Sequence, residues 1–309
     1  MTSYIPIMPW RQKFLMYAKA TAVALPLSLL GVTEVRDMYY RATWNVVPVD
    51  SSSLRTGDVL VIANRWYTLP TYGQMLRSML TKSVMKCTWD DVGVVVVRDN
   101  VPYIVIADYE GVVDQPLEAF IRSRVPRGVA LRKLTVEPGF PAPQPDVANL
   151  FVNEVKKIPT SPWYLFSASW RTGQEHAYYQ YVVEFHKLKA QYRSVVRRRR
   201  NSQSEQLMVT EAGTPQKSSM AITAMETRLK EMEVMREHLA QQLTSTPEYT
   251  GWRQDFKLTS ASLVSSFFAT FDLMDRELPV VSRFVPQDFA YDLPMRGARL
   301  EAPIVIFKD

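Results

Sequence analysis

An α+β fold carrying helical additions is predicted by three observations along the 309-residue chain. Short β-branched, apolar runs recur at Val59 to Ala63, Val92 to Val97, Tyr103 to Ala107 and Val129 to Leu134. Helix-like stretches follow, from Val147 to Ile158 and from His176 to Val196. Before all of these lies an apolar run from Phe14 to Val32. With 47% hydrophobic residues, the chain can bury one good core and still carry extra segments. Its net charge of +6 is modest for the length, and a single cysteine excludes a disulfide framework.

Residues 1–50 are read as an N-terminal segment. Between Phe14 and Val32 only Lys19, Thr21 and Ser28 are polar. Nineteen helical residues at about 1.5 Å each cover about 28 Å, close to the roughly 30 Å of a bilayer's hydrocarbon. Lys19 lies early enough to snorkel to the interface, and Pro26 is tolerated in a membrane helix. A transmembrane helix is therefore expected. A buried or interfacial helix is one alternative, because only Ala20 to Thr33 is free of charge. A cleaved signal peptide is the other, but the run lacks a clear small-x-small cleavage site. Arg11, Lys13 and Lys19, with no acid before Glu34, place the N-terminus on the cytoplasmic or matrix side and the large domain across the membrane. The same bias resembles an uncleaved mitochondrial import segment, so the mitochondrial inner membrane is the expected location.

Residues 51–170 begin with the turn and strand Leu54-Arg55-Thr56-Gly57-Asp58-Val59-Leu60-Val61-Ile62-Ala63. Next come Trp89-Asp90-Asp91-Val92-Gly93-Val94, Gly111-Val112-Val113, Pro116-Leu117-Glu118-Ala119-Phe120 and Pro162-Trp163-Tyr164. Residues 251–309 contain Ser260-Ala261-Ser262-Leu263-Val264 and Val285-Pro286-Gln287-Asp288-Phe289. In this order the motifs resemble the permuted NlpC/P60 (YiiX-like) group of papain-fold cysteine hydrolases and acyltransferases. The resemblance implies a papain-like domain with an antiparallel sheet, its two parts separated by an insertion. It also implies positions for the chemistry: a thiol where Ser260 stands, an imidazole at Asp91, and an orienting carboxylate at Ala107 or Asp108. Such a hydrolase needs a thiolate, a histidine to take and return the proton, and a polar group to orient the ring. An aspartate with a pKa of about 4 is a poor base toward a serine hydroxyl at neutral pH. Asp91, Asp108 and Ser260 are thus expected to be vestigial. Asp91 and Ser260 should still lie close together in a polar cleft, with Asp91 bonded to a hydroxyl or water.

No other constellation replaces the missing one. Cys87 precedes the Val92 strand with no histidine one or two strands later, so it reads as an inert packing or loop thiol. His176 and His186 read as surface or interface residues, and no pairing of histidine with cysteine has zinc-site spacing. Neither a cofactor nor a metal is expected.

Residues 171–250 are read as an inserted helical hairpin. Its first helix ends at Arg197, Arg198, Arg199 and Arg200, and a flexible polar loop runs from Asn201 to Lys217. After the loop, Ile222, Met225, Leu229, Met232, Leu239 and Leu243 occupy a and d heptad positions, with Arg236 interrupting the seam. The seam is expected to pack within the chain, with partner binding as the alternative. The four arginines suit a solvated helix end, where the dipole favours cations. Anionic lipid head groups are a second reading, and RNA a third; nucleic acid is disfavoured because no aromatic or glycine pattern accompanies them.

The expected function is that of a non-catalytic accessory or structural subunit of a mitochondrial inner-membrane complex, in the respiratory chain or ATP synthase, with the other subunits as partners. The alternatives are a membrane-anchored hydrolase or acyltransferase using Ser260, and an RNA- or ribosome-associated protein using Arg197 to Arg200. Length and charge bias at Phe14 to Val32 predict that alkaline carbonate leaves the full-length protein in the membrane pellet. Release into the supernatant would show a peripheral segment.

Overall fold

Runs of valine and isoleucine set the sheet, because β-branched side chains pack well on a pleated surface. The computed structural model describes residues 31–32, 34–39, 41–84, 87–161, 173–206, 216–245, 258–274 and 283–309. Among these there are eight strands: β1 (Val59–Ala63), β2 (Asp91–Arg98), β3 (Val101–Asp108), β4 (Gly111–Pro116), β5 (Gly128–Arg132), β6 (Leu134–Val136), β7 (Ala298–Leu300) and β8 (Ile304–Lys308). Six form an antiparallel sheet in the order β4-β3-β2-β1-β5-β8, while β6 and β7 form a separate antiparallel pair. The protein is thus a mixed α+β fold built on an antiparallel sheet. Asp99 and Asn100, at φ 49° and 61°, make the tight connection between β2 and β3. Such left-handed pairs match the twist of a hairpin.

Among the described residues, the α-helices that follow β1 are α1 (Tyr72–Val84), α2 (Leu117–Arg124), α3 (Pro145–Val155), α4 (Gly173–Gln206), α5 (Gln216–Thr244) and α6 (Ser260–Thr270), and residues 34–39 before it are also helical. Both faces of the sheet are covered. On one, Val59, Val61, Val92, Val94 and Val105 join a core with Phe151 and Val152 of α3 and Leu263, Val264, Phe267 and Phe268 of α6. On the other, Leu60, Ile62, Val95, Ile104 and Ile106 pack with Leu117 and Phe120 of α2. Burial on both sides is why β1 and β2 read as continuous apolar runs without alternation.

Polar groups clamp the loops to this core. Gly57, at φ +99°, lets the chain turn into β1. The buried carboxylate of Asp58 then accepts the N–H groups of Arg55 and Leu134, each at 2.9 Å. Arg132 donates to the carbonyls of Phe289 (2.8 Å), Leu300 (3.0 Å), Glu301 (2.7 Å) and Tyr291, which ties the last third of the chain to β5. Burial, only partly offset by the Asp292 carboxylate, holds its pKa below the usual guanidinium value.

Helices α4 and α5 pack against each other, and the apolar seam of α5 packs within the chain. Ile222, Met232 and Leu243 of α5 are buried and Met225, Leu229 and Leu239 half-buried, while Tyr178 and Val182 of α4 meet Leu243. Arg236 sits in the seam with its guanidinium 5.1 Å above the Phe185 ring, a contact that offsets some of the cost of a charge there. Two expectations are corrected. The helix does not end at Arg197 to Arg200 but continues to Gln206, and α5 already begins at Gln216, so both ends of the expected loop 201–217 are helical. Of the two readings of His186, surface or interface, the second fits: it is buried where α4 meets the C-terminal segment. The membrane-helix reading of Phe14 to Val32 and the Pro162-Trp163-Tyr164 element lie outside the described residues, apart from Gly31 and Val32. Among the described residues no helix is long and apolar enough to cross a membrane.

One close approach holds the N-terminal segment on the sheet. Trp44 stacks on Trp89, centroids 4.9 Å apart and planes 9° from parallel, and a Cβ at Gly128 would fall 2.3 Å from the Trp44 ring. Gly128→Ala is expected to displace Trp44 and cost about 1–3 kcal/mol. Urea unfolding with tryptophan emission checks this, and an unchanged midpoint would show that the segment is not fixed there.

Candidate functional site

Asp91 opens β2 and Ser260 opens α6, and the packing of α6 across β2 and β3 brings them together. The start of α6 is fixed locally. Thr259 caps it by accepting the Ser262 N–H at 3.1 Å, and Ser262 Oγ accepts the Thr259 N–H at 2.7 Å. Ser260 is 1% exposed and Asp91 2%. The serine hydroxyl is near enough to ease ionisation of the Asp91 carboxyl, although Oγ makes no hydrogen bond of regular geometry. Both side chains are buried rather than solvent-exposed.

A partner absent from the sequence reading explains how Asp91 is accommodated. Arg77 of α1 forms a buried ion pair with it. Burial nevertheless raises the Asp91 pKa, since Arg77 is shared with Asp108 and Asp90, whose charges also disfavour a further anion. Asp108, at the end of β3, is better served. Burial works against its ionisation, but Arg77 and Arg124, an ion pair from Arg124 and the Tyr109 N–H at 2.7 Å outweigh it and lower its pKa. Gln74 of α1 donates to the same carboxylate at 2.6 Å. Ala107, the alternative third position, lies in the apolar core.

The network continues beyond the three positions. Asp90 accepts the Asn64 N–H at 2.7 Å and the Ser78 hydroxyl at 2.5 Å. Lys82 donates to Asp37 at 2.7 Å and to the Asn64 carbonyl, with Asp90 at 4.0 Å. Arg127 approaches Asp37 at 3.3 Å and Glu34 at 2.6 Å. Four carboxylates (Asp37, Asp90, Asp91, Asp108) and four cations (Arg77, Lys82, Arg124, Arg127) are thus buried together, and their formal charges cancel.

The inward face of α1 supplies much of this set. Gln74, Arg77, Ser78, Thr81 and Lys82 are buried, while Leu76 and Tyr72 face solvent. The i, i+3, i+4, i+7, i+8 spacing of the polar residues was the signal available in the sequence. Its direction was not, because an amphipathic helix ordinarily turns its apolar stripe inward.

No imidazole takes part. His176 is exposed on α4, His238 bonds Gln242 on the exposed face of α5, and His186 is buried beside Phe185. Burial, with Asp90 and Asp288 adding, pushes the Cys87 thiol up to about 12, so it stays protonated and non-nucleophilic at neutral pH. Among the described residues no group of three or more His, Cys, Asp or Glu is placed to hold a metal.

Removing Arg77 would leave three buried carboxylates short of a cation. Arg77→Met is expected to cost about 3–5 kcal/mol at pH 7, and Asp91→Asn less. Since the folded pKa of Asp91 lies above the unfolded value of about 4, its ionisation costs stability as pH rises through the folded pKa. Without Arg77 that pKa climbs further, so the Arg77→Met deficit should shrink between pH 7 and pH 5. Urea unfolding at both values tests this; a deficit independent of pH would show that Arg77 acts by packing alone.

No family model matches the chain, and no curated protein matches it. Among solved structures, the metalloprotein yiiX from Escherichia coli O157:H7 is similar to it, with a TM-score of 0.26 and 21% identity over 36% of this chain and 54% of that one. The likeness is distant, and the chain spans about half the length of that protein.

Proposed function

We propose that the chain is a pseudoenzyme, a permuted NlpC/P60-like scaffold kept as a non-catalytic accessory subunit of a membrane protein complex. The observation that carries this reading is the Arg77–Asp91 ion pair, buried where the resemblance calls for a catalytic histidine. A general base must be free to take a proton and must meet its substrate. Asp91 is held by a guanidinium and sealed from solvent, and Ser260 is sealed beside it. A fold kept without its chemistry is kept for its surface or its stability. The hairpin α4–α5 and the N-terminal segment supply that surface. The basic, acid-free stretch before Glu34 favours the mitochondrial inner membrane, and a respiratory-chain or ATP synthase assembly is the proposed setting.

A serine-directed fluorophosphonate and a thiol-directed acylating probe are expected to leave the native protein unlabelled. The tagged protein should leave detergent-solubilised membranes with a defined set of partner subunits. Labelling that disappears in Ser260→Ala would reinstate a hydrolase, and elution as a lone chain would remove the complex.

A further inference from the structure

Helix α1 is turned inside out. A helix on the surface of a globular protein buries its apolar stripe and leaves the polar one in water. Here Gln74, Arg77, Ser78, Thr81 and Lys82 are buried, and Tyr72, Met75, Leu76, Met79 and Leu80, at the same i, i+3, i+4, i+7, i+8 spacing, form the opposite face. Tyr72 is 90% exposed and Leu76 42%, and the other three are half-buried. None of the five belongs to either apolar core of the sheet.

Residues 34–39 repeat the inversion. Glu34 accepts the Trp66 indole N–H at 2.9 Å and a proton of Arg127 at 2.6 Å, and Asp37 accepts from Lys82 of α1 at 2.7 Å. Arg36 donates to the carbonyls of Lys82 at 3.2 Å and Cys87 at 3.1 Å, which sets this segment against the C-terminal end of α1. Val32 and Val35 are 69% exposed and Met38 61%. Two adjoining helical elements thus turn apolar side chains outward, because the buried charge network claims their polar ones. Scattered apolar residues are normal on a surface, but stripes on neighbouring helices mark a docking face.

The sequence points to what covers it. Val32 is the last residue of the apolar run that starts at Phe14, so the run leads into this face with no linker between. Tyr39 and Tyr72, both exposed, add amphipathic rings of the kind that settle at head-group level. We propose that the outward face of α1 and residues 34–39 lies on a lipid bilayer, so that the sheet domain is held against the membrane rather than hung from a tether. The inference rests on the membrane setting proposed above and is independent of the loss of catalysis. The outward positions carry no charge, so apolar burial drives the contact, and salt leaves it in place, unlike an attraction through Arg197 to Arg200.

Nitroxide labels on Leu76→Cys, Val35→Cys and Glu231→Cys, each in the full chain reconstituted into phosphatidylcholine vesicles, test the assignment. Glu231, exposed on α5, is the water-facing reference, and burial keeps Cys87 from the label. Oxygen concentrates in hydrocarbon and a nickel chelate stays in water. Oxygen should therefore relax the labels at Leu76 and Val35 more strongly than the chelate does, the order should reverse at Glu231, and high salt should change neither. A chelate stronger at Leu76 or Val35, no contrast with Glu231, or a contrast lost in high salt would overturn the docking while the chain still floats with the vesicles and the membrane setting stands. Exclusion of both reagents at Leu76 and Val35 would show a protein cover, such as a second copy of the chain, and overturn it as well. A chain that does not float with the vesicles would remove the membrane setting and the docking together.

Discussion

Eight buried charges that cancel are the constraint on which the rest of the fold depends. Moving one ion from water into the interior costs several kcal/mol, and only partners of opposite sign, with hydrogen bonds to the remaining atoms, offset it. Each member therefore has to find the others. Asp90 and Asp91 begin β2, Asp108 ends β3, Arg124 ends α2, and Arg127 precedes β5. Arg77 and Lys82 reach them from α1, and Asp37 from the helical residues 34–39. The network fixes where the strand ends meet the flanking helices more tightly than apolar contact would, because charge pairing is directional and apolar burial is not.

The same constraint governs the site. Asp91 at the start of β2 is committed to Arg77, and Ser260 beside it is buried. Replacing Asp91 with a neutral or cationic residue would leave Arg77 among fewer anions, so the buried charges are coupled and cannot be changed one at a time without cost.

Much of the fold was legible from local pattern. The valine runs at β1 and β2 and the heptad seam of α5 are repeats of a single physical demand, burial at period two or three and a half, and such repeats survive translation into structure. The juxtaposition of Asp91 and Ser260 was legible through motif order. What stayed hidden was everything decided by partners far along the chain. Arg77 lies in an ordinary amphipathic helix until Asp91 and Asp108 are placed beneath it. The arginines from Arg197 to Arg200 looked like a stop signal, yet α4 runs on to Gln206 because Arg193 pairs with Glu137 and Arg197 donates to the Pro138 carbonyl at 3.2 Å, so tertiary contacts hold the helix. His186 read as a surface or interface residue, because α4 is polar on average and only its contact with the C-terminal segment shows which side is covered.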